Sequence, residues 1–286
     1  MKFTKTLSIL GVVGMAAAAQ AQYSSTFEPP LYTGSAAGTL LAGQDGWYNP
    51  VLGSNEGLVH TYASNAFGFV TNPTGGTQFA STRFGGTPAA PGRAQHAFDF
   101  SGSDVYTIGY DFCGDRFGGA LPASNNIGSF SLQNSATSQF FQTLMVWDDL
   151  NTGNGMDHNY GVFAAAGGAI AFQTPADPAW NNLNLNTWYR STTTFSFATH
   201  QILSISIDNL HNAAPATVLD VSGLGWYLAG GAASTLPRPT DIRLFGSGAG
   251  ANVNQMGWDN VSVIPSPASL ALLGLGGLIA ARRRRA

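Results

Sequence analysis

The segment Gln201–Asp208 alternates apolar and polar residues: Leu203, Ile205 and Ile207 point one way, Ser204 and Ser206 the other. A period of two belongs to a strand with one buried face and is incompatible with a helix. Just before it, 188–197 reads WYRSTTTFSF, dense in β-branched and aromatic residues. Ala198, Thr199 and His200 are enough to close a hairpin between the two. Further strands are expected over 67–71, 78–82, 97–100, 105–112, 140–147, 160–163, 241–246 and 256–264. Gly, Pro, Asn and Asp punctuate these runs, and no helix-period segment between residues 22 and 263 exceeds two turns. The sequence therefore predicts one all-β domain over 22–263.

Both flanks read as addresses. Residues 1–21 have the order of a secretory signal peptide: Lys2 and Lys5, an apolar centre over 7–19, then Ala19-Gln20-Ala21 as a cleavage site. Residues 264–286 carry Pro265, Ser266 and Pro267, an apolar run over 268–281, and Arg282, Arg283, Arg284 and Arg285. As a helix that run is about 21 Å long, short against a hydrocarbon core of roughly 30 Å. Gly274, Gly276 and Gly277 weaken it further, and the arginines hold its end on the cytoplasmic side. Such a segment suits temporary retention.

The tail resembles the PEP-CTERM sorting signal of exported Gram-negative bacterial proteins, with Ser266 where that signal has Glu. The resemblance implies Sec export, recognition by an exosortase-type transpeptidase and removal of the tail. The protein is then expected to be membrane-anchored for a time and afterwards at the cell surface or outside.

Charge narrows the function. The two flanks hold six of the 12 basic residues, so residues 22–263 carry six arginines against all 15 acidic residues. Nucleic-acid binding needs clustered cations and is excluded as an expectation. The single cysteine, Cys113, forms no internal disulfide and reads as a small buried hydrophobe.

Three stretches are similar to concanavalin A-like and laminin G-like domains. Asn186-Thr187-Trp188-Tyr189-Arg190, followed by a hairpin ending at Asp208-Asn209, matches their W-Y…D pattern. Trp258-Asp259-Asn260-Val261-Ser262-Val263 is similar to their closing strand. Phe27 to Tyr32, with Gly43-Gln44-Asp45-Gly46-Trp47, is similar to the opening strand and loop of bacterial members. The resemblance implies a two-sheet antiparallel jelly-roll sandwich with sugar sites on a concave face or rim. It also implies a structural Ca²⁺ between the first and last strands, here at Glu28 and Asp259.

Candidate chemistry is sparse. Most glycosidases set two carboxylates about a scissile bond, and hydrolases of the resembled superfamily carry Glu-x-Asp-x-x-Glu. Glu28 and Glu56 are the only glutamates and fit no such pattern. The densest acidic stretch is VWDDLNTGNGMDHNY, with Asp148, Asp149 and Asp157. It reads as a solvated loop with Asx turns, or as a sugar rim or cation site. Trp147, Asp148, Asp149, Trp180 and Trp226 form the candidate carbohydrate-binding set, because aromatic faces stack on sugar rings. Trp188 and Trp258 read as core. The five histidines show no metal-ligand spacing, and no Gly-x-Ser-x-Gly elbow is present.

The expectation from sequence is an exported, non-catalytic envelope or matrix protein associated with exopolysaccharide. The alternatives are a polysaccharide hydrolase or lyase using residues such as Asp148 or Asp149, and a surface protein without ligand.

Overall fold

The structure, a computed structural model, describes residues 22–51, 55–83, 91–116, 126–134, 138–148, 155–247 and 254–266. Residues 1–21, Asp149, Pro267 and Arg282 to Arg285 lie outside the described residues.

Eighteen strands are described: β1 (Tyr23–Ser25), β2 (Thr39–Leu40), β3 (Trp47–Tyr48), β4 (Asn55–Glu56), β5 (Leu58–Thr61), β6 (Gln78–Arg83), β7 (Gly92–Ala97), β8 (Val105–Arg116), β9 (Asn126–Asn134), β10 (Ser138–Trp147), β11 (Gly155–Ala164), β12 (Gly167–Gln173), β13 (Leu183–Asn184), β14 (Tyr189–Ser196), β15 (Gln201–Asn209), β16 (Thr217–Asp220), β17 (Asp241–Gly246) and β18 (Asn254–Pro265). They form two sheets. The first runs β16-β15-β14-β8-β18-β6-β5-β2, with β1 along β18. The second runs β12-β11-β10-β9-β17-β7-β3, with β13 beside β11 and β4 beside β7. Of these pairs only β4–β7 is parallel. The expected two-sheet jelly-roll sandwich is the observed architecture. Among the described residues, no helix is long and apolar enough to cross a membrane.

The inner faces meet in an aromatic core. Tyr110 of β8 stacks on Phe130 of β9 at 4.5 Å, and Trp258 of β18 meets Tyr110 edge-on at 5.8 Å. Burying such rings is the main favourable term of the fold. Two buried polar groups are tied into this core: the Tyr110 hydroxyl lies 2.6 Å from Thr143 Oγ1 and 3.0 Å from His158 Nε2. Cys113 is buried, as expected, and burial pushes its thiol well up.

Three local expectations are corrected. In β15 a register shift opposite Thr194 and Phe195 turns Leu203 off the core face, which Ile202, Ile205 and Ile207 occupy instead. Residues 67–71 are not a strand. Asn65 takes the Phe69 N–H and donates to the Phe69 carbonyl, and Asn186 takes the Val70 N–H, so side-chain amides replace a partner strand. The strand expected at 97–100 ends at Ala97, because Asp99 accepts from Ser101 N and caps a 3₁₀ turn over Phe100–Gly102.

The segment 62–77 instead covers part of the outer face of the first sheet. There Tyr62, Phe67, Phe69, Phe79, Cys113 and Trp188 make a second apolar cluster. The last strand continues through Pro265, which pairs with Tyr106, and Ser266 N donates to Val105 O.

Candidate active site

On the second sheet, Ala94, Ile242, Leu244, Phe130, Leu132 and Met145 enter the core. Their strand neighbours must point the other way, because side chains alternate. Register then fixes what lines up on the outer face. Tyr48 pairs with Gln95, Gln95 with Arg243, Arg243 with Ser131, and Ser131 with Gln142. One polar row therefore crosses β3, β7, β17, β9 and β10. At a strand spacing of about 4.8 Å its five members span about 19 Å. Alongside it, Arg93 pairs with Phe245, and Asp241 with Gln133.

The row is wired together. Arg243 Nε donates to Gln95 Oε1 at 2.8 Å, Gln95 Nε2 donates to the Tyr48 hydroxyl at 2.8 Å, and Tyr48 donates to Asp241 Oδ1 at 2.6 Å. An arginine only donates, so the Gln95 amide is fixed in this orientation, and the Tyr48 proton is aimed at Asp241. Thr240 Oγ1 holds the second oxygen of Asp241 at 2.6 Å. Burial, then the Asp241 carboxylate, pushes the Tyr48 phenol up to about 12. Burial first and the charge of Arg93 next pull Arg243 below its usual range. Arg93 sits over the Phe245 ring at 5.4 Å. A cleft of about 470 Å³ opens beside the pair, lined by Ala97, Phe98, Asp99, Phe100, Ser101, Arg238, Pro239 and Thr240.

Tyr48 is 38% exposed, whereas Gln95 beneath it is 1% exposed. The arrangement can pass a proton between Tyr48 and Asp241, beside a guanidinium able to pair with an anion. The sequence reading did not find it, because its members come from strands at 47–48, 92–97 and 241–246.

The residues singled out from sequence lie elsewhere. Asp148 is exposed at the end of β10, where its N–H donates to Gly155 O. Asp157 accepts from Asn182 N, and burial, then the Asp148 charge, raises its pKa. His158 turns into the core, where burial lowers it to about 3 and keeps it neutral. Trp147 and Trp180 are corrected from sugar-stacking candidates to core residues, at 3% and 0% exposure. Pro178–Trp180 forms a 3₁₀ turn that tips the Trp180 ring inward, and its Nε1 donates to Tyr160. Trp226 is half-buried against the core, 5.9 Å from Tyr160.

The expected pairing of first and last strands is present as β1–β18. Glu28 and Asp259 also approach one loop. A Cβ on Gly76 would lie 2.4 Å from the Glu28 carboxyl carbon, and one on Gly75 would lie 2.3 Å from Asp259 Oδ2, so a side chain at either position would push the carboxylate aside. Their oxygens, however, face donors. Glu28 accepts from Thr77 N, Thr77 Oγ1 and Gln78 N. Asp259 accepts from Asn260 N, Tyr62 Oη and Asn72 Nδ2. Hydrogens aimed at a carboxylate occupy the lone pairs that Ca²⁺ needs, so the arrangement does not fit a shared cation. Among the described residues, no group of three or more metal-ligating side chains occurs.

A second carboxylate pair is structural. Asp111 takes Arg190 Nε at 2.7 Å and shares Asn72 Nδ2 with Asp259. Both aspartates are 0% exposed beneath the 62–77 segment, out of reach of a polymer.

No family model and no curated protein matches the chain. Solved structures similar to it include an endo-β-1,4-glucuronan lyase from the fungus Trichoderma reesei, at 13% identity and TM-score 0.47, covering 80% of this chain and 94% of that one. A β-glucanase catalytic domain from Podospora anserina is similar at 11% identity and TM-score 0.41, covering 74% and 79%. An endo-acting O-glycanase from the human gut microbiota is similar at 12% identity and TM-score 0.42, covering 85% and 98%. Against these glycan-cleaving neighbours the expectation of a non-catalytic matrix protein is corrected. Its premise was that carboxylates are too sparse for bond cleavage. That premise excludes only mechanisms needing a carboxylate pair.

Proposed function

We propose that the protein cleaves polysaccharide by β-elimination at a uronate, using the outer face of the second sheet. The observation that carries this is the wired set Arg243–Gln95–Tyr48–Asp241. Arg243, oriented by Gln95 beneath it, holds the sugar carboxylate, which makes the C5 proton more acidic. Tyr48 accepts that proton as its own passes to Asp241. The C4–O4 bond breaks, a C4=C5 double bond forms, and the proton returns through Tyr48 to the departing O4. The proton is conserved and no external co-reactant enters.

Among the described residues of this face, Asp241 is the one carboxylate beside the phenol, so elimination fits better than two-carboxylate hydrolysis. Incubation with a panel of uronate and neutral polysaccharides tests the reading. Chain shortening of uronate polymers with an unsaturated new end is expected. Shortening of neutral polymers only would overturn it.

The order of features in residues 1–21 and 264–286 supports export and handling by an exosortase-type system, which would deliver the activity to polysaccharide outside the cell. Intact-mass measurement of the protein from its native host tests this: loss of residues 1–21 and of Arg282–Arg285 is expected.

A further inference from the structure

Residues 62–77 cross the outer face of the first sheet without joining its ladder. Among the described residues, no backbone–backbone hydrogen bond runs from this segment to β8, β14 or β18. Side chains hold it instead. Trp188 Nε1 donates to Val70 O at 2.7 Å, Asn186 Nδ2 to Gly68 O at 3.1 Å, and Gln255 Nε2 to Phe67 O at 3.1 Å. Its rings pack in a cluster separate from the main core, where Phe69 meets Phe79 at 5.7 Å and Trp188 at 6.3 Å. A segment fastened this way can lift as a unit while the sandwich stays folded.

The polar latch beneath it carries unbalanced charge. Asp111 and Asp259 share Asn72 Nδ2, at 2.8 and 3.2 Å. Arg190 takes both oxygens of Asp111, through Nε at 2.7 Å and a terminal nitrogen at 2.9 Å. The donors on Asp259 are neutral: Tyr62 Oη and Asn72 Nδ2 from the segment, and Asn260 N. Two buried carboxylates thus stand with one cation. With both ionised, one charge is buried without a counter-ion, which is costly. Burial first, then Asp111, pushes the Asp259 carboxyl up to about 8. The other groups around the latch do not supply a second cation. Burial, then Asp259, pushes the Tyr62 phenol up, and burial, then Asp115, pushes the Cys113 thiol up. Asp208 of β15 pairs across from Arg190. Glu28 grips the end of the segment through Thr77 and Gln78. His60 packs 4.7 Å from Phe67, and burial lowers its pKa.

We propose that residues 62–77 form a pH-sensitive strap, shut while Asp259 is protonated and lifting when it ionises, which uncovers Trp188, Phe79 and Cys113. In the lifted state Asp259 meets water and returns to an ordinary carboxylate value of about 3.9. The shut strap holds a proton that the lifted one has released. Closure is therefore firmest below about pH 4, weakens as pH rises, and levels off above about pH 8. Between these limits each pH unit raises the lifted fraction about tenfold. The strap lies on the sheet opposite Tyr48 and Asp241 and does not depend on the chemistry there.

Cys113 is the single cysteine and is buried under the strap, so it reports lifting. The folded protein is treated with a thiol reagent from about pH 5 to about pH 8, and each labelling rate is divided by that of the denatured protein at the same pH. This ratio is expected to rise about tenfold per pH unit. It should exceed what global unfolding allows and be insensitive to low urea, because lifting a strap exposes little surface. Asp259→Asn, neutral at every pH, should hold the ratio level; the comparison also removes any contribution of His60. Circular dichroism confirms that the variant folds. Should it not fold, Asp111→Asn, which leaves Arg190 to balance Asp259, should level the ratio in the same way. A ratio that is level in the wild type, that rises equally in the variant, or that follows global unfolding in urea overturns the proposal.

Discussion

Tyr48 and Asp241 are 193 residues apart in sequence and joined by a 2.6 Å hydrogen bond. Strand β7 brings them together, pairing with β3 on one side and β17 on the other. Tyr48→Phe removes the phenolic hydroxyl that donates to Asp241. It is expected to lower kcat on a uronate polymer by about 10²–10⁴, the usual share of general acid–base catalysis. The melting temperature should fall modestly, because the ring stays in place but the buried Gln95 Nε2 loses its acceptor. Steady-state kinetics with a parallel melt checks both; an unchanged kcat removes Tyr48 from the mechanism.

The buried pair Asp111 and Asp259 should leave a mark on stability against pH. Burial, then the neighbouring Asp111, pushes Asp259 up to about 8. The folded state therefore holds a proton that the unfolded chain releases near the ordinary carboxylate value of about 3.9. The stability this contributes is full below about pH 4, declines as pH rises, and is gone above about pH 8. His158, lowered to about 3, acts in the opposite sense, adding stability as pH rises towards 6.5. The difference between wild type and Asp259→Asn isolates the aspartate. Relative to the variant, wild type is expected to lose melting temperature from pH 5 to pH 8. Parallel curves would show that Asp259 titrates normally.

Much of the sandwich was legible because alternation survives in the strands that carry its core. Asp241–Gly246 is the strand as expected, and the 201–208 run begins β15. Strands β7 and β9 escaped notice because their outward positions hold Arg93, Gln95, Ser129, Ser131 and Gln133 within glycine- and serine-rich sequence, where polarity imitates a loop. The candidate site failed to show for a related reason. No motif links Tyr48, Gln95 and Arg243; only sheet register does. The acidic loop and the loop-borne tryptophans drew attention by local composition, which says nothing about which way a short turn points a side chain.

Trp180 separates packing from sugar stacking. Its ring is fully buried and its Nε1 donates to Tyr160 at 3.2 Å. Trp180→Phe removes buried volume and that hydrogen bond, and is expected to cost roughly 1–3 kcal/mol in denaturant unfolding. Glycan affinity of the folded fraction should not change. Lost affinity at unchanged stability would restore Trp180 as a binding residue.

Chelation tests the clamp between first and last strands. The donors on Glu28 and Asp259 already supply what a cation would, so EDTA is expected to leave the melting temperature unchanged. A fall that added Ca²⁺ restores would show that these side chains rearrange around a metal.

The most direct measurement is the ultraviolet absorbance of a uronate polysaccharide incubated with the purified wild-type protein and, separately, with Tyr48→Phe. The elimination mechanism requires a rising absorbance from the conjugated C4=C5 double bond with wild type, and almost none with the variant. New reducing ends without that absorbance, or equal rates from both proteins, would contradict it.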